Sequence, residues 1–172
     1  DELSCVSWNC SDENIIAVGD GGGAVLVVDR RMMNGAVSEM VLHDLNCHDA
    51  GISSLEWMPG SSKHLVSGSD DGRIVIWDVT RRTRDPDDNA LYPPEVLFQH
   101  KGHRGAILDL HCHPEVLWCI LSCSETQDED SGGGLLQAFV PTEFCIMSDG
   151  QILQEIQSLE NFAELRGLDP NE

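Results

Sequence analysis

Residues 67–78, with the sequence SGSDDGRIVIWD, decide the fold of this chain. The stretch joins the end of an apolar strand to an Asp-Gly turn and then to an alternating strand that ends in Trp77 and Asp78. Asp-Gly between two hydrophobic runs is a strong signal for a β-hairpin, because glycine supplies the positive φ that the turn requires. The sequence therefore predicts a pair of antiparallel strands at the centre of the chain.

Upstream residues extend this hairpin into a recognisable repeat. His48 lies nine residues before Trp57, and further polar residues follow at the spacing that lets Asp, His, Ser and Trp form one hydrogen-bonded line across a four-stranded sheet. A buried carboxylate needs partners, and an imidazole N–H, a hydroxyl and an indole N–H satisfy it in series. This pattern is typical of a WD40 blade. The predicted structural tetrad is His48, Ser67, Asp71 and Trp77.

Two similar but degenerate units flank the middle one. The first contains Trp8, and the third has Cys112 where the middle unit has Trp57. Trp57 follows Trp8 by 49 positions and Cys112 follows Trp57 by 55, both more than the usual period of about 40 to 45. Three blades do not close the ring of about 4 to 8 that makes a propeller. We therefore predict an all-β fold, about three four-stranded blades of a larger WD40 propeller with a C-terminal α-helix.

The predicted division of the chain has five parts. They are a degenerate blade over residues 1–30, the blade with the tetrad over 46–79, an acidic double-proline loop over 80–95, a degenerate blade with an acidic Gly-rich insertion over 96–141, and a helix over 148–167. The helix is predicted because Ile152, Leu153, Ile156, Leu159 and Ala163 recur at helical spacing. It would either cover an open blade or bind a partner.

Charge and composition restrict the function. The 172 residues include 10 basic and 30 acidic side chains, for a formal charge of -20. Such a chain repels phosphate backbones, so we expect no direct nucleic-acid binding but attraction to a basic protein; the alternative is that acidity only keeps the protein soluble. No apolar run approaches the ~18 residues of a membrane span. Because the chain begins at Asp1 inside a strand-like stretch, we expect a piece of a longer protein.

Reactive chemistry has little support in the sequence. Seven cysteines without a Cys-x-x-Cys motif indicate reduced thiols in a cytosolic or nuclear protein. Ser67 and His48 are better explained as tetrad members than as nucleophile and base. One cluster has metal-ligand residue types, but strand alternation turns Cys112 away from its histidine neighbours, so zinc is disfavoured. It comprises His100, His103, His111, Cys112, His113, Cys119 and Cys123. We expect no enzyme activity, cofactor or metal.

Two further segments carry a resemblance to a known family. Residues 92–104, YPPEVLFQHKGHR, resemble the double-proline loop and the next blade entry of histone-binding WD40 proteins of the retinoblastoma-associated, Msi type. Residues 132–137, GGGLLQ, follow an acidic loop and are most similar to the plant branch that acts in chromatin silencing and flowering control. The resemblance covers nearly the whole chain, as the last three of seven blades and the C-terminal helix.

This resemblance implies a nuclear, histone-binding scaffold and leaves open an additional cytoplasmic location. A histone H4 helix would lie in a side pocket at the double-proline loop, and histone H3 on an acidic top face. Further partners would be chromatin-complex subunits such as histone deacetylase or Polycomb-type components. Carboxylates would make charge-assisted hydrogen bonds to the basic histone. The implied contacts are Asp87, Asp88, Pro93, Pro94 and Glu95 at the side pocket and Glu125 on the top face.

The sequence also departs from the family pattern. Gly51 and Ser53 stand where the family has an acidic residue and an aromatic, and Ala106 replaces a basic residue. The N-terminal helix that forms the other wall of the side pocket is absent from this sequence. These departures weaken the expectation of tail binding on the top face, and leave open a diverged copy that has lost histone binding.

A second function on the same fold is that of a substrate receptor of a cullin-type ubiquitin ligase. The family uses a Trp/Tyr-Asp-x-Arg blade ending for this purpose. Here residues 28–31, VDRR, keep the Asp and Arg without the aromatic, and residues 77–80, WDVT, keep the aromatic without the Arg. Arg31 is the predicted adaptor contact. An exposed arginine at a strand end, with no adaptor role, is the alternative.

Overall fold

A computed structural model of the chain describes residues 2–81, 92–126 and 134–141. Over these residues eleven strands form three antiparallel sheets. The first sheet contains β1 (Leu3–Trp8), β2 (Ile15–Asp20), β3 (Ala24–Asp29) and β4 (Val41–Asn46), in that order. A 3-10 turn (Arg30–Met32) and the short helix α1 (Val37–Met40) connect β3 to β4.

The other two sheets repeat this meander. The middle sheet contains β5 (Ile52–Trp57), β6 (His64–Ser69), β7 (Ile74–Asp78) and β8 (Val96–His100), and the third contains β9 (Ile107–Cys112), β10 (Ile120–Ser124) and β11 (Leu135–Phe139). The predicted all-β fold, a partial propeller, is confirmed. The helix predicted over residues 148–167 lies outside the described residues. No helix in the described part of the chain is long and apolar enough to cross a membrane.

Sheet pairing places two strands differently from the division made on the sequence. Residues 96–100, assigned there to the third blade, form β8, which pairs with β7 in the middle sheet. Likewise β4, which lies in the unassigned residues 31–45 except for its last residue, pairs with β3 and completes the first sheet. A repeat counted from the strand before Gly102 and His103 includes β8, whereas hydrogen bonding places β8 in the preceding sheet, so the two boundaries differ there by one strand.

Apolar side chains pack between successive sheets. Ala17, Val25 and Val27 of the first sheet meet one face of the middle sheet, which includes the fully buried Trp77. The opposite face of the middle sheet packs against Ile107 and neighbouring residues of the third sheet. The middle sheet is thus covered on both faces and each of the other two sheets on one face, as expected for stacked repeats.

Glycine makes the close approach of the sheets possible. A Cβ atom at Gly19 would lie 2.7 Å from both Cβ and Cγ2 of Ile52 in the next sheet. A Cβ atom at Gly68 would likewise lie 2.7 Å from Cγ2 of Ile107. Real Cβ atoms do not approach this closely, so glycine at this position sets the sheet separation in both interfaces.

Candidate functional site

The four predicted tetrad residues lie in one hydrogen-bonded line in the middle sheet. The indole N–H of Trp77 donates to Oγ of Ser67 at 2.8 Å. The Ser67 hydroxyl in turn lies 2.8 Å from Nε2 of His48, whose Nδ1 lies 3.0 Å from a carboxylate oxygen of Asp71. The consistent tautomer has Nδ1–H donating to Asp71 and Nε2 accepting from Ser67. Every polar atom in the line has a partner.

The carboxylate at the end of this line is held in its charged form. Burial opposes ionisation of Asp71, but hydrogen bonds from His48, Arg73 and the Asp49 amide outweigh it and hold the pKa of that carboxyl well below its usual range. The Arg73 guanidinium donates at 2.8 and 3.0 Å and also contacts the Asp49 carboxylate. Gly72 follows with a φ of 77°, which allows the tight turn into β7.

Serine, histidine and aspartate in this order are also the arrangement of a hydrolase triad. Burial decides against that role here. Ser67 is fully buried, and the side chain of His48 has no exposed surface. The Ser67 hydroxyl also accepts the indole N–H, so it faces Trp77 and not a cleft that a substrate could enter. The geometry is that of a structural element.

The third sheet contains a different polar link, which the sequence analysis missed. His103 lies 2.7 Å from Oγ of Ser122 through Nε2 and 2.8 Å from Oγ of Ser124 through Nδ1. Burial, with the nearby charge of His100, lowers the pKa of His103. The spacing could have revealed the link, because His103 precedes Ser122 by the same 19 residues that separate His48 from Ser67.

The first sheet has no polar line. Strand register makes Val18 the equivalent of Ser67, since Val18 pairs with Val6 and Leu26 as Ser67 pairs with Leu55 and Val75. By the same register, Val28 is the equivalent of Trp77. Apolar side chains therefore occupy both positions.

The residues with metal-ligand types do not converge in the structure. No group of three or more His, Cys, Asp or Glu residues within residues 2–81, 92–126 and 134–141 could hold a metal ion. His103 is engaged by two serines, and Nδ1 of His111 lies 3.1 Å from a carboxylate oxygen of Glu56. The same Glu56 oxygen accepts the backbone N–H of Cys112 at 2.7 Å. This link between the middle and third sheets was also not foreseen.

The described part of the double-proline loop is anchored to the middle sheet. The amide of Val96 donates to the carbonyl of Pro93 at 3.0 Å, and the amide of Asp78 donates to the carbonyl of Glu95 at 2.8 Å. Pro93, Pro94 and Glu95 are half-buried. Asp87 and Asp88, the other two side-pocket residues, lie outside the described residues. The proline segment is therefore fixed next to the end of β7.

Glu125 lies at the opposite end of the sheets. It follows β10 directly, it is exposed, and its amide donates to the carbonyl of Ala106 at 2.9 Å. The adjacent Gly105 is close to the β6–β7 turn, since a Cβ atom at Gly72 would lie 3.0 Å from the Gly105 carbonyl oxygen. The structure thus separates Glu125 from residues 93–95 by the length of a strand.

Arg31 is held by its own strand end. Its guanidinium donates to the Asp29 carboxylate at 2.9 Å through Nε and at 2.5 Å through a terminal nitrogen. These hydrogen bonds lower the pKa of Asp29. The Arg31 side chain still exposes 64% of its surface. Its orientation is therefore set by the chain itself while its outer edge stays accessible.

Comparison with known proteins agrees with this geometry. The family described as "WD domain, G-beta repeat" matches residues 39–78, which contain the whole tetrad. The chain is 29% identical over 160 residues to the WD-40 repeat-containing protein MSI4 of Arabidopsis thaliana, covering 93% of this chain and 32% of that protein. It is 30% identical over 130 residues to histone acetyltransferase type B subunit 2 of Debaryomyces hansenii, covering 72% of this chain and 31% of that protein. The chain is a homologue of the Msi-type WD40 proteins.

The Msi-type homology is broader than the WD40 match. The chain spans about a third of the length of the two relatives named above. A WD40 relationship alone does not fix function, since the chain is also 26% identical over 127 residues to protein transport protein SEC31 of Chaetomium globosum, covering 72% of this chain and 9% of that protein. Within this chain, the WD40 match covers β4 to β7, and the degenerate β9–β11 sheet falls outside it.

Proposed function

We propose that the chain is part of a non-enzymatic nuclear scaffold that binds histones as a subunit of chromatin-modifying, silencing or assembly complexes. The observation that carries this proposal is homology over most of the chain to an Msi-type protein and to a histone acetyltransferase subunit. The formal charge of -20 supports it, because an acidic surface attracts a basic protein and disfavours direct contact with nucleic acid. Burial of Ser67 supports the absence of a hydrolase function.

The proposed H4 site is the double-proline loop. Two backbone hydrogen bonds, at Pro93 and Glu95, hold this segment against the middle sheet, so a partner would meet a preorganised surface. The Glu95 carboxylate, with Asp87 and Asp88 in the same loop, would pair with Arg or Lys of a basic helix. The prolines would supply apolar contact.

The top face is the proposed second site, for histone H3. Glu125 is exposed there, but Gly51, Ser53 and Ala106 offer neither the acidic, aromatic nor basic groups that the family pattern has. We therefore assign H3 the weaker contact.

The test is titration of a labelled H4-helix peptide against the chain at fixed low salt. Weak binding is expected, because the second wall of the pocket is absent from this sequence, so peptide should be added into the millimolar range. The variant Asp87→Lys/Asp88→Lys should lose binding. Glu125→Lys is the matched control, since it also adds positive charge but lies at the other end of the sheets, and it should retain H4 binding.

Two results would contradict the H4 assignment. One is an absence of saturable binding to the wild type, and the other is equal binding by the double-lysine variant. Equal losses in the double-lysine variant and in Glu125→Lys would show attraction to overall charge without a defined site.

A ligase-receptor function is the second proposal, and exposure of Arg31 favours it. The Asp29 carboxylate aligns the guanidinium, so an adaptor carboxylate could meet a preoriented donor. A pull-down with a cullin-ligase adaptor should lose the adaptor on Arg31→Glu and keep it on Arg30→Glu. Equal retention by both variants would leave Arg31 as a strand-end residue without an adaptor role.

A further inference from the structure

The turn between β5 and β6, residues 58–63, and the first residue of β6 contact both neighbouring sheets. Asn9, which follows β1 of the first sheet, donates its side-chain amide to the carbonyl of Ser62 at 2.9 Å. From the third sheet, the Trp118 ring lies against His64, with 4.7 Å between ring centroids. Trp118 has a backbone φ of 67°, which is rare for a residue with a side chain. A change at His64 would therefore affect contacts to both neighbours.

Hydrogen bonding fixes the protonation state of His64. The Ser61 hydroxyl oxygen accepts the amides of Lys63 and His64 at 3.3 and 3.2 Å, which uses both of its lone pairs. The hydroxyl proton is therefore donated to Nδ1 of His64, 2.9 Å away. A ring nitrogen that accepts a hydrogen bond carries no proton, so this turn requires a neutral imidazole with its proton on Nε2.

The other side of the ring faces a carboxylate. Nε2 lies 3.9 Å from Oδ2 of Asp78, the residue that pairs with His64 in the β6–β7 ladder. This distance is too long for a hydrogen bond but allows an ion pair with a protonated ring. Lys63 and Arg81 lie 3.7 and 3.9 Å from the same oxygen, and they are the other charged groups of the described residues that face the ring. Trp118 brings no charge from the third sheet.

We propose that His64 is a proton switch for this turn. The neutral ring accepts the Ser61 proton and holds the turn. When Nδ1 takes up a proton from solvent, it becomes a third donor beside an oxygen that has only two lone pairs, so the turn loses a hydrogen bond and the imidazolium pairs with Asp78. The switched end of the sheets also holds the double-proline segment, because the Asp78 amide donates to the Glu95 carbonyl.

Burial sets the pH range of the switch. The His64 side chain exposes 12% of its surface. This burial lowers the pKa of His64, and the Asp78 carboxylate opposes the effect only in part. The ring is therefore neutral at pH 7 and takes up its proton below the ordinary value of about 6.5. As pH falls below that value the unfolded chain gains this proton first, so the fold should lose stability until the folded-state pKa is reached.

The first sheet offers an internal control. In its equivalent turn, before β2, the Asp12 carboxylate accepts the amide of Asn14 at 2.9 Å. Ile15 is the equivalent of His64, since each is the first residue of the second strand of its sheet. The turn of the first sheet therefore has a side-chain-to-backbone hydrogen bond without an imidazole beside it.

The first experiment is hydrogen–deuterium exchange of the chain from about pH 7.5 to 5, with rates expressed as protection factors to remove the intrinsic effect of pH. The amides of Lys63 and His64 should lose protection by about tenfold at the acid end, the equivalent of one net hydrogen bond. The Asn14 amide should keep its protection. Unchanged protection at Lys63 and His64, or an equal loss at Asn14, would overturn the proposal.

Fluorescence of Trp118 tests which group takes up the proton. A protonated imidazole quenches an indole that it contacts, so the difference between the wild type and Trp118→Phe should show a transition with its midpoint below pH 6.5. His64→Gln should abolish this transition. His111→Gln, at an exposed histidine of the third sheet, is the matched control and should retain it. A transition that survives in His64→Gln would contradict the assignment.

Two further variants should move the midpoint in opposite directions. Ser61→Ala should raise it by about half to one pH unit, because proton uptake no longer breaks a hydrogen bond. Asp78→Asn should lower it, because the counter-charge is removed while the side-chain oxygen still accepts the Thr80 amide. Circular dichroism checks that both variants are folded. A midpoint that neither substitution moves would leave His64 as an ordinary buried histidine and overturn the switch.

Discussion

The middle and first sheets share strand order and register but differ at their centres. The middle sheet has the Trp77–Ser67–His48–Asp71 line, and the first has Val18 and Val28 at equivalent positions. A four-stranded blade of the same shape therefore forms without the polar line. The line adds partners for buried groups and fixes the turn before β7, while apolar packing and glycine contacts set the geometry of the stack.

Truncation of the aromatic residue at the end of β7 should give the largest difference in stability between substitutions in the two sheets. Trp77→Ala removes a fully buried side chain and the donor to Ser67, so it should lower the free energy of unfolding by about 5 kcal/mol. Val28→Ala at the equivalent position should cost about 2 kcal/mol. Chemical denaturation of both variants checks this. Equal losses would mean that the aromatic adds nothing beyond the apolar contacts of a valine.

Removal of the central hydroxyl tests the line itself. Ser67→Ala leaves Nε2 of His48 and the indole N–H of Trp77 buried without partners, which should cost about 2 to 4 kcal/mol. In the third sheet, Ser122→Ala orphans only one nitrogen of His103, because Ser124 still engages the other, so about 1 to 3 kcal/mol is expected. Urea midpoints of the two variants give the comparison. A larger loss for Ser122→Ala would contradict the additive role of the line.

Giving the middle sheet the residue type that the third sheet has at this position should lower the stability less. Trp77→Phe keeps an aromatic ring, as Phe139 does at the equivalent position, but removes the N–H that donates to Ser67. Because the Ser67 hydroxyl still bonds His48, the loss should be about 1 to 2 kcal/mol. Thermal unfolding followed by calorimetry is the measurement. A loss equal to that of Trp77→Ala would show that the hydrogen bond outweighs packing.

The smallest expected effect is a pH dependence specific to the middle sheet. The pKa of Asp71 is lower in the folded chain than the unfolded value of about 3.9. Its stabilising contribution is therefore fully present above that value and is lost as pH falls through the folded-state pKa. Between pH 6 and about 2.5, the free energy of unfolding should fall less steeply in Asp71→Asn than in the wild type, as measured from unfolding curves at each pH. The same pH dependence in the variant and the wild type would exclude Asp71 as the source of the acid destabilisation.

The sequence predicted the fold class because its strongest signals are local. An Asp-Gly turn between apolar runs, and polar residues at fixed spacing around it, indicate a WD40 blade without knowledge of its neighbours. The strands β4 and β8 were placed less well, since each is joined to its partner strand by a long connection. Repeat spacing alone does not say which sheet such a strand completes.

Contacts between sheets were the least predictable part of the candidate site. The link from Glu56 to His111 and Cys112 joins residues 55 and 56 positions apart, and no motif marks it. The pairing of Arg31 with Asp29 is local, but residue types alone do not show that the strand end turns the guanidinium back on its own carboxylate. The role of Asp87 and Asp88 stays a prediction, to be tested by histone titration.

The bond from the Cys112 amide to the Glu56 carboxylate has a consequence for the motion of the stack. Its acceptor belongs to the middle sheet, so the amide can be released only when the two sheets move apart or when Glu56 turns away. Hydrogen–deuterium exchange at Cys112 would therefore report the opening of this contact between neighbouring sheets, whereas amides bonded along a ladder, such as those of β10, report the fraying of strands within one blade.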